Sequence, residues 1–298
     1  MANQIMNQLS SENAGEHGWP ARVAVLGVGL LGGSVAMAIR QASSRVQLVA
    51  WARSESKKTA LSDSSVFDSV VSSVEEAVHQ CDVVVVSSPV THIAELVKEA
   101  GRHTAEDCLI TDVGSTKEGI VRCVDKDSVC RERFVAAHPI AGSEKSGFQH
   151  ARADLFHKKQ IVLTPGSFVK ERWIAKARDF WCRTGGVTQE MTPKDHDTHL
   201  AAISHVPHLV SSLVAKVTPV EARALAGSGW SDITRVAAGD PEMWTAICQE
   251  NREAISRELD RVRQEMDRLQ QIVDNADDAT LQGWLAEAQK IKQRTPPS

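Results

Sequence analysis

One histidine stands where a catalytic group of an α/β protein is often found. His138 follows the segment RFVAA at 133–137, which predicts a β-strand, and precedes the polar segment PIAGSEKSG at 139–147. Histidine can take or give a proton near neutral pH, because its ordinary pKa lies at about 6.5. We therefore predict that His138 lies in a cleft at the end of a strand and transfers a proton. The alternative is a buried histidine that is hydrogen-bonded to the backbone.

Two further histidines lie three positions apart in the segment ISHVPH at 203–208. His205 and His208 share one face if this segment is helical, and His199 lies just upstream. Such a pair suits a metal ion or an anionic substrate. No third soft or acidic ligand is obviously placed with the pair, so the pattern favours an anionic substrate over a metal.

Arg235 lies in the segment GSGWSDITRVA at 227–237, where most of its neighbours are small or apolar. A guanidinium group in such surroundings can hold a carboxylate through two parallel hydrogen bonds. The alternative is a structural salt bridge between Arg235 and Asp232 or Glu242.

Three glycines near the start of the chain have the spacing GxGxxG. A β-branched run precedes Gly27, Gly29 and Gly32, and a helical pattern follows them. The first glycine allows a sharp turn, the second lets the backbone approach a pyrophosphate, and the third lets the helix pack closely on its strand. The pattern predicts a dinucleotide site at a helix N-terminus rather than a glycine-rich structural turn.

The elements that must position these residues alternate between strand and helix up to about residue 191. This alternation predicts an α/β fold with a Rossmann-like, doubly wound parallel sheet and right-handed crossovers. The loops 87–90, 114–117 and 138–147 then follow strand ends and should line the cleft. A further strand–helix–strand stretch at 160–191 closes this half.

The second half, from Thr192, predicts an all-helical region broken at Pro207, at Pro219, near 227–229 and at 239–241. One long helix is predicted from Pro241 to Val273, and it carries an apolar stripe. The stripe consists of Ile255, Leu259, Val262, Met266, Leu269 and Val273. It fits either the core of an intrachain bundle or a dimer interface. The predicted division is a disordered tail at 1–20, a nucleotide-binding domain at 21–191 and a helical substrate and dimerisation domain at 192–298.

Composition excludes several classes of protein. The formal charge of −4 argues against a nucleic-acid binder, and the six cysteines show no paired or metal-binding spacing. No apolar run approaches the roughly 20 residues of a membrane span, and the first residues lack the apolar core of a signal peptide. We therefore expect a cytoplasmic protein with reduced thiols and no membrane partner.

An ordered set of short segments resembles the prephenate/arogenate dehydrogenase family of tyrosine biosynthesis. The segments are LGVGLLGGS (26–34), SSPV (87–90), DVGSTK (112–117), AHPIAGSEKSG (137–147), SHVPH (204–208), SDITRVA (231–237) and PEMW (241–244). The resemblance implies a Rossmann-like domain that binds a nicotinamide cofactor. It also implies a helical domain that dimerises and completes the substrate site.

The same resemblance assigns roles to individual residues. His138 becomes the catalytic histidine, Ser115 its partner on the substrate hydroxyl, and Arg235 the ligand of a substrate carboxylate. The substrate pocket is expected to include His205, His208, Glu144, Ser204 and Trp244. The cofactor is expected to contact Gly27, Gly29, Leu30, Leu31, Gly32, Arg53, Ser54, Ser88 and Pro89.

These residue types fit the chemistry of prephenate, which carries two carboxylates and a C4 hydroxyl on a cyclohexadiene ring. A hydride leaves C4 for the nicotinamide while carbon dioxide departs and the ring becomes aromatic, so no metal is needed. The protein must supply a neutral imidazole for the hydroxyl proton and cations or donors for the carboxylates. Arogenate is the alternative substrate.

The second predicted strand ends without the acidic residue that commonly binds the ribose 2′-hydroxyl of NAD. The sequence there is Trp51-Ala-Arg53-Ser54, and both Arg53 and Ser54 can accommodate a 2′-phosphate, which favours NADP over NAD. Two other classes remain. A hydroxyacid dehydrogenase would use a catalytic lysine, for which Lys194 and Lys216 are available. A non-enzymatic NAD(P)-sensing protein would not need His138, Ser115 and Arg235 together.

Overall fold

The computed structural model describes residues 19–142 and 147–294. Its strands are β1 (Arg22–Leu26), β2 (Gln47–Trp51), β3 (Ser69–Val71), β4 (Val83–Val86), β5 (Leu109–Asp112), β6 (Phe134–Pro139), β7 (Gln160–Pro165) and β8 (Val187–Glu190). The helices between the strands are α1 (Leu30–Ala42), α2 (Glu55–Ser62), α3 (Val74–Val78), α4 (Val90–His103), α5 (Glu118–Val124) and α6 (Glu171–Arg183). Most of the tail predicted at 1–20 lies outside the described residues.

The strands form one sheet in the order β3-β2-β1-β4-β5-β6-β7-β8. The pairs from β3 to β6 are parallel, and β7 pairs with β8 in parallel as well. The exception is β7, which lies antiparallel to β6. Between these two strands the described chain has a 3₁₀ turn at Phe148–His150 and no crossover helix to carry it back to the opposite edge. The predicted α/β fold is therefore confirmed, except that β7 and β8 run in the opposite direction to the other six strands.

Helices cover both faces of the sheet, as the prediction of a doubly wound fold requires. Along β1, Val23 and Val25 pack with residues of α1 and α6, whereas Ala24 and Leu26 pack with residues of α3, α4 and α5. All four side chains are fully buried. The near-continuous apolar sequence of β1 and β4 follows from this, because a strand covered on both faces has no solvent side.

After β8 the described chain is helical. Its elements are α7 (Pro193–Leu200), a π turn (Ala201–His205), α8 (Val206–Val217), α9 (Val220–Arg223), α10 (Ser228–Thr234), a 3₁₀ turn (Arg235–Ala238), α11 (Pro241–Glu250), α12 (Arg252–Asp274) and α13 (Asp278–Arg294). The described residues up to Asn251 form one compact unit, and those from Arg252 form a second. In the first unit α7 contacts α5 and β7, and α11 contacts α4. The first helices after residue 192 therefore pack in the same unit as the sheet.

Two predicted helix boundaries are wrong. The helix does not break at Pro207, because the π turn just before it lets the backbone N–H of Val206 reach the carbonyl of Ala201 and makes room for the proline ring. The long helix predicted from Pro241 to Val273 is instead two helices, α11 and α12. They are separated at Asn251, whose φ of −113° and ψ of 31° are not helical.

The second unit consists of α12 and α13, which contact each other. The predicted apolar stripe lies on α12, and much of it faces solvent in the single chain. Leu259, Met266 and Val273 are 40%, 55% and 56% exposed. Packing against α13 therefore leaves much of the stripe uncovered.

One helical run, Pro193–Val217, is long and apolar enough by length and composition to cross a membrane, with a mean hydropathy of 1.3. Core helices of soluble proteins meet the same criterion. This run also carries the buried polar residues His196, Asp197, His205 and His208.

Candidate active site

The backbone around His138 is fixed by a buried ion pair at the ends of β5 and β6. Asp112, the last residue of β5, accepts the backbone N–H groups of Ala137 (2.9 Å) and Gly114 (2.8 Å). The Lys117 ammonium pairs with Asp112 and donates to the carbonyl of Ala137 at 2.8 Å. Both charged residues are fully buried. Together they hold the two strand ends beside each other and set the position of His138.

Lys117 is a buried lysine that the sequence did not identify as part of the site. Burial lowers the pKa of Lys117 from its usual 10.5, although the neighbouring Asp112 carboxylate opposes this shift. Because its ammonium is already bonded to a carboxylate and a carbonyl, Lys117 acts as a structural cation here. The available signal was an acid at the end of an apolar strand followed by a lysine in the next loop.

His138 lies at the end of a chain of buried polar groups. Its Nδ1 is 2.8 Å from Nε2 of His196, and Nδ1 of His196 is 2.7 Å from Oδ1 of Asp197. The Asp197 carboxylate also accepts the backbone N–H groups of Lys117 (2.8 Å) and Glu118 (2.9 Å), which begin α5. His196 and Asp197 are 0% and 1% exposed. Neither residue was predicted from the sequence to belong to the site.

The imidazoles of His138 and His196 are both neutral near pH 7. Loss of hydration on burial lowers the pKa of His138 well below 6.5, and the nearby His196 and Lys117 lower it further. Burial also lowers the pKa of His196, although the hydrogen bond to Asp197 opposes this shift. A histidine that is already neutral can accept a proton without first losing one.

Ser115 lies in the loop after β5 and is partly exposed. Within the described ranges no hydrogen bond joins Ser115 to His138, whose ring instead contacts His196. The expected action of Ser115 on a substrate hydroxyl therefore stays a prediction. Glu144, a predicted pocket residue, lies outside the described residues.

The structure brings three of the predicted pocket residues together. The His208 ring stacks on Trp244 with centroids 3.5 Å apart and planes inclined by 11°. His205 meets Trp244 edge-on at 6.2 Å. Gly239 makes this packing possible, because a Cβ atom there would lie 2.4 Å from the Trp244 Nε1 and 3.0 Å from the His208 Cε1. Ser204 lies on the same π turn as His205 and is partly exposed.

Asn251 links this group to the His196–Asp197 pair. Its Nδ2 donates to the backbone carbonyl of Asp197 at 2.7 Å and lies 3.1 Å from Nδ1 of His205. Since an amide nitrogen donates, Nδ1 of His205 accepts and its proton lies on Nε2. Burial lowers the pKa of His205 to about 4, so this ring is a neutral donor at pH 7. The break between α11 and α12 places Asn251 for these contacts.

Arg235 begins the 3₁₀ turn after α10 and is exposed. None of the ion pairs in residues 19–142 and 147–294 joins Arg235 to Asp232 or Glu242, so the structural alternative weighed from the sequence is not realised. In the part of the chain that the structure describes, its guanidinium has no hydrogen-bonding partner. It is therefore available to an anionic ligand.

The glycine turn has the geometry that a dinucleotide requires. Gly27 has a φ of +90°, and a Cβ atom there would lie 2.6 Å from the Ser88 hydroxyl. Gly32 allows close packing, because its Cβ would lie 2.6 Å from the carbonyl oxygen of Gly27. The space beside Gly29 is open, and α1 begins at Leu30 without a side-chain cap. Uncapped N–H groups facing open space suit a pyrophosphate.

Three further predicted cofactor residues lie on α1 and in the loop between β4 and α4. Leu31 follows Leu30 in the first turn of α1 and packs on the core. The Ser88 hydroxyl donates to the carbonyl of Leu26 at 3.4 Å, and Pro89 precedes the first turn of α4.

A cavity of about 370 Å³ opens at the end of β2, where Trp51 and Arg53 lie. The Arg53 guanidinium lies 5.9 Å from the centre of the Trp51 ring. Ser54 caps α2, because its hydroxyl accepts the Lys57 N–H at 3.4 Å. Glu95 and His92 lie on the same cavity wall. Across residues 19–142 and 147–294, no cluster of acidic, histidine or cysteine side chains could hold a metal ion.

Two family models match the chain in succession. Residues 35–190 match the nucleotide-binding domain of prephenate dehydrogenase, and residues 192–287 match the dimerisation domain of the same family. Prephenate dehydrogenase from Bacillus subtilis is 32% identical over 81% of this chain and 69% of its own length.

Solved structures agree with these matches. The A. aeolicus prephenate dehydrogenase in complex with hydroxyphenyl propionate and NAD⁺ is 29% identical, with a TM-score of 0.84 over 91% of this chain and 96% of that one. Arogenate dehydrogenase from Synechocystis is 25% identical, with a TM-score of 0.79 over 92% of this chain and 99% of that one.

Proposed function

Because the chain belongs to the prephenate dehydrogenase family, we propose that it converts prephenate to 4-hydroxyphenylpyruvate by oxidative decarboxylation with NAD(P)⁺. The family membership confirms the resemblance and makes the protein an oxidoreductase. The observation that carries the proposal is the neutral imidazole of His138, held at the end of β6 by Asp112 and Lys117. A base of this kind is what removal of the C4 hydroxyl proton requires.

The reaction needs little from the protein beyond positioning and proton transfer. His138 accepts the C4 hydroxyl proton, which strengthens the oxygen as an electron donor and releases the C4 hydride. When bound, the nicotinamide ring takes that hydride. The electron pair of the ring C–COO⁻ bond enters the ring as carbon dioxide leaves. The resulting phenolate takes the proton back from His138, so the residue is restored within one turnover.

The two carboxylates of prephenate need cations or hydrogen-bond donors. Arg235 supplies an unpaired guanidinium for one of them. His205 supplies a neutral N–H donor from Nε2, since Asn251 occupies its Nδ1. The stacked rings of His208 and Trp244 form an apolar and aromatic wall suited to the substrate ring. Ser115, Ser204 and Glu144 complete the proposed substrate set.

The cofactor is NAD(P), as the nucleotide-binding domain requires. We infer a preference for NADP because Arg53 is a cation at the end of β2 and Ser54 lies at the N-terminus of α2. A 2′-phosphate at this position meets a positive charge, a hydroxyl group and the positive end of a helix. Glu95 lies on the same cavity wall, but Lys98 pairs with it at 3.0 Å.

The organisation of the protein is also part of the proposal. Residues 21–191 bind the nucleotide, and residues 192–298 complete the substrate site and form a homodimer. The match of residues 192–287 to a dimerisation domain and the exposed stripe on α12 support a dimer interface over an intrachain core. We expect the enzyme to act in the cytoplasm without a nucleic-acid or membrane partner.

Arogenate remains the second candidate substrate, supported by the similarity to the Synechocystis arogenate dehydrogenase. The two substrates differ in the side chain, which is a keto acid in prephenate and an amino acid in arogenate. The alternative of a hydroxyacid dehydrogenase with a catalytic lysine has less support, because Lys194 and Lys216 are both exposed.

The test is a comparison of kcat/KM for prephenate and arogenate, each with NAD⁺ and NADP⁺. We expect the highest value for prephenate with NADP⁺. A higher value for arogenate would identify arogenate as the substrate. No turnover with either substrate would refute the proposal.

A further inference from the structure

We propose that His196 and Asp197 are positioning residues that hold His138 in the tautomer with its proton on Nδ1, leaving Nε2 as the proton acceptor. The inference rests on the proposed function for its catalytic meaning. The tautomer itself can be measured without substrate.

An ionised Asp197 carboxylate can only accept hydrogen bonds. It accepts the backbone N–H groups of Lys117 and Glu118, and a backbone N–H can only donate. The contact of 2.7 Å from Asp197 to His196 therefore requires a proton on Nδ1 of His196. A neutral His196 then has a lone pair on Nε2.

The next contact transfers this constraint to His138. Its Nδ1 lies 2.8 Å from Nε2 of His196, which bears the lone pair, so Nδ1 of His138 must carry the proton. A neutral His138 is left with its lone pair on Nε2, the ring nitrogen that His196 does not contact. These four hydrogen bonds thus decide which nitrogen of His138 is the base.

Charged groups lie near both rings. Lys117 opposes protonation of His138, whereas the Asp197 and Asp112 carboxylates lie near His196. When His138 accepts the hydroxyl proton, its Nδ1–H hydrogen bond to His196 strengthens. The hydrogen-bonded pair His196–Asp197 then stabilises the positive charge on His138. The proton stays on His138 until it returns to the phenolate.

A purely structural role for the pair has different consequences. Asp197 joins α7 to the start of α5, so its loss would loosen that packing whatever His138 does. A structural role would therefore change stability without fixing the tautomer of His138. The decisive readouts are the tautomer and the division of an activity change between kcat and KM.

The first experiment measures the histidine tautomers in the free wild-type protein by ¹⁵N NMR at pH 7.5. Loss of one signal set in His138→Asn assigns the His138 resonances. We expect a protonated Nδ1 and an unprotonated Nε2 for His138, and a protonated Nδ1 for His196. A protonated Nε2 on His138 overturns the proposal, even if the enzyme oxidises prephenate.

The second experiment compares His196→Leu, which removes the acceptor, with His196→Gln, whose amide oxygen can accept the Nδ1 proton. We expect His196→Leu to lower kcat on the order of 10²-fold, with KM for prephenate changed less than about threefold. His196→Gln should recover about tenfold or more of that loss. The matched control is His199→Leu, because His199 is exposed on the same helix.

Equal kcat values for the wild type and His196→Leu would overturn the proposal. So would equal losses in the leucine and glutamine variants while both unfold at the wild-type temperature. If the wild type shows the expected tautomers but does not oxidise prephenate or arogenate, the tautomer assignment stands and the proposed function fails.

Discussion

His208 and Trp244 stack face to face, with ring centroids 3.5 Å apart and planes inclined by 11°. This pairing depends on Gly239, where even a methyl group would lie 2.4 Å from the Trp244 Nε1. The stack brings a histidine of α8 against the only large aromatic side chain of α11. It therefore holds two helices together at the proposed substrate wall.

We expect Gly239→Ala to displace Trp244 and raise KM for prephenate on the order of tenfold, with a smaller change in kcat. The backbone at Gly239, with φ −63° and ψ 156°, accepts alanine, so the effect comes from side-chain crowding. Steady-state kinetics measure it. The matched control is Gly283→Ala on α13, where an added Cβ contacts nothing within 4 Å. Unchanged kinetics in Gly239→Ala would show that Trp244 does not contribute to substrate binding.

Substitution of Arg235 tests carboxylate binding. If Arg235 holds a carboxylate equally in the ground and transition states, Arg235→Gln should mainly raise KM, at a cost on the order of 2–5 kcal/mol. Arg235→Lys keeps the charge but loses the planar pair of donors, so an intermediate KM is expected. A fall in kcat with constant KM would instead place Arg235 in proton or hydride transfer.

Substitution of Arg53 tests the cofactor preference. Arg53→Asp should shift the ratio of kcat/KM for NADP⁺ over NAD⁺ toward NAD⁺, because a carboxylate repels a 2′-phosphate and accepts from a free 2′-hydroxyl. Arg53→Gln, which removes the charge alone, should give a smaller shift. An unchanged ratio in Arg53→Asp would show that another group selects the cofactor.

The parts of the fold that local sequence determines were predictable. The glycine turn needs only a strand before it and a helix after it, and Gly27 adopts the positive φ that such a turn demands. The apolar runs of β1 and β4 likewise predicted strands covered on both faces. The direction of β7 was not predictable, because strand pattern is the same in both directions.

Individual site residues could be proposed from sequence where the residue type indicates its chemistry. The structure stacks His208 on Trp244 and places His138 beside His196, and the roles of these residues stay predictions. His196 and Asp197 were missed because the segment PKDHD at 193–197 has the polar pattern of an ordinary first helical turn. Their meaning depends on a contact with His138 across 58 positions. Asn251 was missed because the helical pattern runs through it without a breaking residue.

The pH dependence of kcat/KM should reflect the lowered pKa of His138. A base must be deprotonated to act, and burial holds the pKa of His138 well below 6.5. Activity should therefore stay constant as the pH falls from about 8 through 6.5, and decline only when the pH approaches the lowered pKa. Stopped-time assays in overlapping buffers measure this profile. Half-loss at or above pH 6.5 would show that the base is solvated or is a different group.

The central claim is that His138 accepts the hydroxyl proton of prephenate during oxidative decarboxylation. The most direct measurement follows reduced nicotinamide and carbon dioxide from prephenate in the wild type and in His138→Asn. We expect equal molar amounts of both products in the wild type. In the variant, kcat should fall by about 10²–10⁴ with little change in KM. A variant with wild-type kcat would show that His138 is not the base, and a wild type that releases neither product would refute the proposed reaction.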